Sequence, residues 1–242
     1  MRIISTVPSQ TELLADLGLQ AEVIGITKFC IHPQSWFKTK TRIGGTKTLN
    51  LELIKQLQPD LIIANKEENV KEQITALGRH CEVFVSDVKT TTDNLNLIPT
   101  LGQLTGTRMT AIRLAQKLSA ALESIQQVHS KTAAYLIWKD PYMTVGHDTY
   151  IHDMLNKCGL RNVFHDQTRY PTTTINALKD KAPELILLSS EPYPFKQEHL
   201  QELQSMLPES HIVLVDGEIF SWYGTRLIKK LDELNLLLNT LT

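Results

Sequence analysis

Residues 51–64 read Leu51-Glu52-Leu53-Ile54-Lys55-Gln56-Leu57-Gln58-Pro59-Asp60-Leu61-Ile62-Ile63-Ala64. Residues 175–188 read Ile175-Asn176-Ala177-Leu178-Lys179-Asp180-Lys181-Ala182-Pro183-Glu184-Leu185-Ile186-Leu187-Leu188. Each stretch is a short amphipathic helix, a proline that ends it, an acidic residue and an apolar strand. Pro59 and Pro183 are 124 positions apart (183 − 59) in a chain of 242 residues. A repeat at half the chain length predicts two similarly built α/β lobes, and a cleft between them.

The segments around each copy extend the pattern. An apolar strand at 3–7 runs into Pro8-Ser9, and Ser9 or Thr11 is placed to cap a helix that Gly18 ends. Strands are expected at 23–26, 61–64 and 82–86, with a helix over 70–77 between the last two. Strand, helix and strand at this spacing imply parallel pairing through right-handed crossovers. The second lobe is expected to open with a strand at 133–138, followed by a helix from about Thr149 to Gly159. The second copy, a strand at 213–215 and a final helix over 226–241 complete it. From Thr107 to His129, Ile112, Ala115, Leu118, Leu122 and Ile125 recur at three- and four-residue steps, without Gly or Pro. That pattern predicts one rigid helix of about 34 Å joining the lobes. The expected fold is therefore two Rossmann-like α/β lobes with central parallel sheets. The N-terminal lobe spans 1–103, the bridging helix 104–130 and the C-terminal lobe 131–242.

Composition narrows the function. A net charge of −1, with 42% hydrophobic and 21% charged residues, describes a globular chain with a real core. It gives no electrostatic basis for nucleic-acid binding. The three cysteines, Cys30, Cys81 and Cys158, form no CxxC pair and read as buried thiols. No stretch approaches the roughly 20 apolar residues of a membrane span. Arg2 leads directly into the first strand with no signal peptide before it, so the expectation is either a mature exported form or a cytoplasmic protein.

The catalytic motifs fail on spacing. In Gly44-Gly45-Thr46-Lys47-Thr48, Thr46 stands where a phosphate loop needs the glycine directly before its lysine. The eight histidines give no HExxH or HxH pattern, and no glycine-flanked nucleophile elbow exists to make a triad of Ser9, His32 and Asp216. His80, His129 and His199 read as solvated helix-end residues. Three loops are more informative: Trp138-Lys139-Asp140-Pro141-Tyr142-Met143, Glu191-Pro192-Tyr193-Pro194-Phe195 and Phe220-Ser221-Trp222-Tyr223-Gly224. With Tyr150 they hold eight of the fifteen Phe, Trp and Tyr residues. Each follows an expected strand, so they predict an apolar ligand wall on the second lobe.

Residues 2–14 (Arg-Ile-Ile-Ser-Thr-Val-Pro-Ser-Gln-Thr-Glu-Leu-Leu), Ile43-Gly44-Gly45, Leu51-Glu52-Leu53-Ile54 and Gln58-Pro59-Asp60-Leu61-Ile62-Ile63-Ala64 follow one another in a familiar order. The chain resembles the ABC-transporter substrate-binding proteins for vitamin B12, iron-siderophores and haem, most of all their vitamin B12-binding branch. These are the helical-backbone metal receptors with the class III periplasmic binding protein fold. The resemblance implies a non-enzymatic receptor, with no intrinsic cofactor, that holds cobalamin, a ferric siderophore or haem between its lobes. It implies a monomer that works with an ABC permease/ATPase complex in the periplasm or cell envelope. Ligand-binding candidates are Pro8, Ser9, His32, Lys47, Lys66, Trp138, Tyr142, His147, Tyr193, Phe195, Trp222 and Tyr223. Lys47, Lys66 and Arg226 are available for acidic ligand groups, and His32, His147 or a cleft tyrosine for direct ligation of the metal. Permease-docking candidates are Glu67, Glu68 and Glu72 in the first lobe and Glu198 and Glu202 in the second. The B12-binding branch has a cleft tryptophan after its Leu-Val-Ile-Ala-type strand; Asn65 stands there in this chain. The competing reading is a cytoplasmic enzyme or sensor for metal chelates or corrinoids on the same scaffold.

Overall fold

In the computed structural model, which describes residues 1–128 and 130–241, the chain divides into two units. The first comprises Met1–Val88, Thr92–Ser119 and Tyr223–Arg226; the second comprises Lys89–Thr91, Ala120–Trp222 and Leu227–Thr242. The return of the chain to the first unit at Tyr223–Arg226 has no signal in the sequence.

The first unit carries β1 (Ile3–Ser5), α1 (Pro8–Asp16), β2 (Val23–Ile26), α2 (Gln34–Thr39), β3 (Thr41–Arg42), α3 (Leu51–Gln56), β4 (Leu61–Asn65), α4 (Lys71–Leu77) and β5 (Glu82–Ser86). Then follow α5 (Thr91–Leu104) and α6 (Arg108–Glu123). Its five strands are all parallel in the order β3-β2-β1-β4-β5. Every residue of β1 and β4 is buried, as central strands covered on both faces must be. Ile4, Ile62 and Ala64 pack with Ile43, Ile54, Ile74 and Leu77 in one apolar cluster.

The second unit carries β6 (Thr132–Leu136), α7 (Tyr150–Lys157), β7 (Arg161–Asn162), α8 (Ile175–Lys181), β8 (Leu185–Ser189), α9 (Gln197–Met206), β9 (His211–Val215), α10 (Gly217–Ser221) and α11 (Arg226–Leu241). Its four strands are parallel in the order β7-β6-β8-β9. Ala134, Leu136, Ile186 and Leu188 form the core with Phe164, Leu178, Phe195 and Leu203.

The two repeat copies become α3–β4 and α8–β8. In both, the residue before the proline takes a positive φ, 45° at Gln58 and 42° at Ala182. A residue before proline is hindered in the right-handed helical region, and the left-handed conformation closes the helix instead.

Three local expectations are corrected. Val7, not Ser9 or Thr11, is the N-cap of α1, and Pro8 occupies the first turn. Helix α5, missed in the sequence, carries Pro99 inside it. The long helix expected to His129 stops at Glu123 after 16 residues, about 24 Å. Tertiary partners take over the backbone there: Asn235 Oδ1 accepts the Gln126 N–H at 2.9 Å, and Cys158 O accepts that of Val128 at 2.9 Å. His129 lies outside the described residues.

Candidate functional site

In open parallel sheets ligands meet the loops at the carboxyl ends of the strands, where the strand order reverses. In the first unit that point is the β1/β4 pair; in the second it is β6/β8. The loops leaving these strands carry most of the candidates.

At the end of β1, Pro8 and the buried Ser9 open α1. Thr6, just before them, donates its hydroxyl toward Ile63 O at 2.9 Å and shares a hydrogen bond with Asn69 Oδ1 at 2.8 Å. At the end of β4, the buried Asn65 organises the turn that follows. Its Oδ1 accepts the N–H groups of Glu67 at 2.8 Å and Glu68 at 3.1 Å. Its Nδ2 donates to Ser86 O and Oγ, both at 3.1 Å. Asn65 therefore fixes a loop from within, where a stacking residue would have to project. Lys66 points to solvent and pairs with Asp87 at 2.8 Å.

The Gly44–Asn50 segment is bound onto this turn. Gly44 and Leu49 form an antiparallel bridge, and Gly44 takes φ +104°. Thr46 O accepts Asn69 Nδ2 at 3.0 Å, Lys47 O accepts Gln73 Nε2 at 3.0 Å, and Lys47 Nζ donates to Glu67 O. His32 sits half-buried in the loop after β2, before a cis His32–Pro33 bond. That loop also exposes Phe29, with Lys28 Nζ 5.0 Å from its ring centroid.

Tyr223 belongs to the first unit. Its buried hydroxyl accepts Gln10 Nε2 at 3.0 Å, and burial pushes the phenol far above its ordinary pKa. Arg226, expected to meet a ligand, is instead 4% exposed and pairs with Glu12 at 3.1 Å. It stands at the start of α11, at the end of the Tyr223–Arg226 stretch that belongs to the first unit, so its charge is met inside that unit by Glu12.

In the second unit the structure brings four candidates together with one that the sequence placed in solvent. Tyr193 makes edge contacts with Trp138 at 5.7 Å, Phe195 at 4.8 Å and His199 at 5.4 Å between ring centroids. Tyr142 packs on the same core cluster. His199 is no solvated helix end: its Nδ1 accepts the Lys196 N–H at 2.9 Å, so Nε2 faces Tyr193 Oη at 3.1 Å as donor. Phe195 is spent in the core, whereas Trp138 stays 40% exposed. Trp222 is buried and donates its indole N–H to Glu191 Oε1 at 2.8 Å; Ser221 Oγ donates to the same oxygen at 2.7 Å. Glu191 was not a sequence candidate, yet it orients the Trp222 ring. His147 lies apart from this cluster, exposed, with Nδ1 2.8 Å from Gln167 O.

Among the acids, Glu72 and Glu198 are exposed in the first turns of α4 and α9. Glu202 is exposed and paired with Lys139. Glu67 and Glu68 are half-buried in the Asn65 turn, and desolvation raises the Glu68 carboxyl above the usual range. Asp216 caps α10 and lies 3.6 Å from Lys230, roles unlike that of a triad acid. Among the described residues, no group of three His, Cys, Asp or Glu side chains is placed to hold a metal ion. No described helix is long and apolar enough to cross a membrane. The loops thus offer ring faces, buried amides and hydroxyls and a few charges, equipment suited to holding a polar-rimmed organic ligand.

Two parallel-sheet α/β units with ligand-type loops at their switch points define the class of two-lobed binding proteins. The chain belongs to the periplasmic binding protein family, whose model matches residues 3–208. It is 25% identical to the ABC transporter substrate-binding lipoprotein YvrC of Bacillus subtilis, covering 96% of this chain and 78% of that one. It is 28% identical to the vitamin B12-binding protein of Photorhabdus laumondii over 78% of this chain and 70% of that one. Among solved structures, the periplasmic vitamin B12 binding protein BtuF of Vibrio cholerae superposes with a TM-score of 0.81 at 21% identity, covering 99% and 97% of the two chains. The periplasmic heme-binding protein RhuT of Roseiflexus gives 0.84 at 19% identity over 99% and 98%. At such identities the structural likeness establishes the fold. The family and these neighbours are binding proteins.

Proposed function

We propose that the chain is the substrate-binding component of an ABC importer and that its cargo is a metal chelate: a corrinoid, a ferric siderophore or haem. The observation that carries this reading is the family match over residues 3–208, joined to loops of ligand-binding character at both switch points. Relatives named for vitamin B12 and for haem support the chelate class. Trp138 and Tyr193 supply ring area, worth a few kcal/mol, about 1.5–3 for each well-covered side chain. His32, Lys47, Lys66 and His147 supply polar contacts, and His32 or His147 is the candidate for reaching the metal. Within the second unit Phe195 packs against Tyr193 and Glu191 holds the Trp222 indole, and within the first unit Gln10 holds the Tyr223 hydroxyl. Glu72 and Glu198, exposed at helix starts in the two units, are the candidates for docking to basic residues of a permease, with Glu202 beside Glu198. The protein then works in the cell envelope, where such a permease presents itself.

Titration with cyanocobalamin, ferric siderophores and hemin, read by tryptophan fluorescence through Trp138 and by calorimetry, tests the proposal. Saturable binding of at least one chelate is expected. Silence with all three classes overturns it.

A further inference from the structure

From Val23 to Leu51 the chain carries five basic residues, Lys28, Lys38, Lys40, Arg42 and Lys47, and no Asp or Glu. The stretch builds the β2–α2–β3 side of the first unit, where β3 is the edge strand of the sheet. Two of the cations are held by backbone: Lys40 Nζ donates to Gln20 O and Lys47 Nζ to Glu67 O. Lys28, Lys38 and Arg42 have no carboxylate partner among the described residues. Lys55, Lys66, Lys139, Lys181 and Lys230 each have one.

Two of these unpaired cations lie against aromatic rings instead. Arg42 Cζ is 4.3 Å from the Phe37 ring centroid, and Lys28 Nζ is 5.0 Å from that of Phe29. Phe29 is 50% exposed, Ile31 41% and Phe37 36%. Nine large apolar side chains are exposed among the described residues, and these three fall within positions 29–37. The two ring–cation pairs share one edge. A Cβ on Gly45 would lie 3.3 Å from Phe29 and 3.4 Å from Lys28, and Gly45 is three residues past Arg42, about 10 Å along extended chain. Single exposed apolar residues are ordinary, and charges beside an edge strand often serve only to prevent pairing. Cations with that duty alone need no exposed rings among them.

We propose that the α2–β3 edge of the first unit is a docking surface for an anionic lipid bilayer. Phe29, Ile31 and Phe37 enter the headgroup region, and Lys28, Lys38 and Arg42 meet lipid phosphates. Charge complementarity selects this occupant. Three cations without carboxylate partners match a surface of many negative charges. The rings and Ile31 gain by leaving water, which a free anion in solution does not offer them. The inference does not rest on the chelate reading, because Phe37, Lys38 and Arg42 lie in α2 and β3 and not in the proposed ligand loops.

The test is flotation of the full chain with vesicles of phosphatidylcholine alone or of equimolar phosphatidylcholine and phosphatidylglycerol. At low salt, wild type is expected to bind the mixed vesicles at least about tenfold tighter than the neutral ones. Most of that binding should be lost in about 0.5 M salt. Lys38→Glu is expected to weaken it about fivefold or more, and Lys179→Glu, the same charge change at an exposed site of the second unit, less than about twofold. Phe37→Ser should weaken it about threefold or more, which charge attraction alone would not produce. Chelate titrations and Tm are expected to be unchanged in these variants, and Phe37→Ser carries the test if Lys38→Glu does not fold. Equal affinity for the two vesicle types, binding to neither, or equal effects of Lys38→Glu and Lys179→Glu overturn the inference. So does dimerisation that Phe37→Ser abolishes in a chain that ignores vesicles, which would assign the edge to a second copy.

Discussion

Asp60 and Glu184, 124 residues apart, hold the same position in their two units: each accepts a backbone N–H at the start of the central strand beside it. Asp60 Oδ2 takes Arg2 N at 2.6 Å ahead of β1; Glu184 Oε2 takes Thr132 N at 2.8 Å and Thr132 Oγ1 at 2.9 Å in β6. The acid of the repeat is therefore a register device, aligning two neighbouring parallel strands at their first residues. Losing one such contact is expected to lower Tm by about 2–4 °C in a chain of this size. Glu184→Ala and Asp60→Ala should each show that drop, and Glu184→Gln, which keeps an acceptor, should show less. The Thr132 contacts hold the Glu184 carboxyl below its ordinary value of 4.5. Its contribution is thus present above pH 4.5 and lost as pH falls through the folded value beneath it, a small effect at so exposed a group. Thermal melts from pH 7 to pH 3 check both points.

Gly44 is a position where no other residue fits. Its φ is +104°, and a Cβ there would lie 2.3 Å from Thr48 O. Gly44→Ala is expected to cost at least about 2 kcal/mol from backbone strain. The hairpin also presents Thr46 O to Asn69 and Lys47 to Glu67, so the variant should loosen the Asn65 turn and weaken chelate binding. Denaturant melts and ligand titration of the same sample separate the two effects.

The repeat was legible because helix, proline, acid and strand are all local signals, and the second copy fits α8 and β8 residue for residue. The end of α6 was not, because Asn235 and Cys158, far away in sequence, decide where its hydrogen bonds stop. Helix α5 was hidden by Pro99 and Gly102, residues that read as breakers. Gly102 is instead required where α5 meets α6, since a Cβ there would fall 2.2 Å from Ala111 Cβ. The aromatic loops stood out by composition, but burial divided them: Trp138 is exposed while Phe195 and Phe220 are core. Trp222 and Tyr223 read as one motif, yet their partners are Glu191 and Gln10, 31 and 213 residues away. No spacing rule reaches such partners.

Arg226 and Glu12 make a buried ion pair whose halves depend on each other. The side chains are each 5% exposed, at 3.1 Å. Removing one charge leaves the other desolvated and uncompensated, which costs about 3–5 kcal/mol, whereas replacing both with apolar groups is far milder. Arg226→Met is expected to destabilise by that amount. Glu12→Leu with Arg226→Met should recover at least about half of it. Urea melts of the three variants give the cycle, and additive losses would show that the pair is not coupled.

His152 is built to stay neutral. Asn162 is locked by its backbone partners, its Oδ1 accepting Phe164 N at 2.9 Å and its Nδ2 donating to Val145 O at 2.8 Å. The remaining amide hydrogen therefore faces His152 Nδ1, 3.2 Å away, and that nitrogen has to be an acceptor. A protonated ring would bring N–H against N–H. Burial is the main reason the ring's pKa lies below 6.5, and His147 and His165 lower it further against Asp153 and Asp148. The folded state thus binds fewer protons than the unfolded chain between the folded pKa and 6.5. Stability is full above pH 6.5 and falls as pH drops from there toward the folded value. Tm should therefore decline from pH 7 to pH 5 in wild type and less steeply in His152→Gln. Equal slopes would place the acid sensitivity elsewhere.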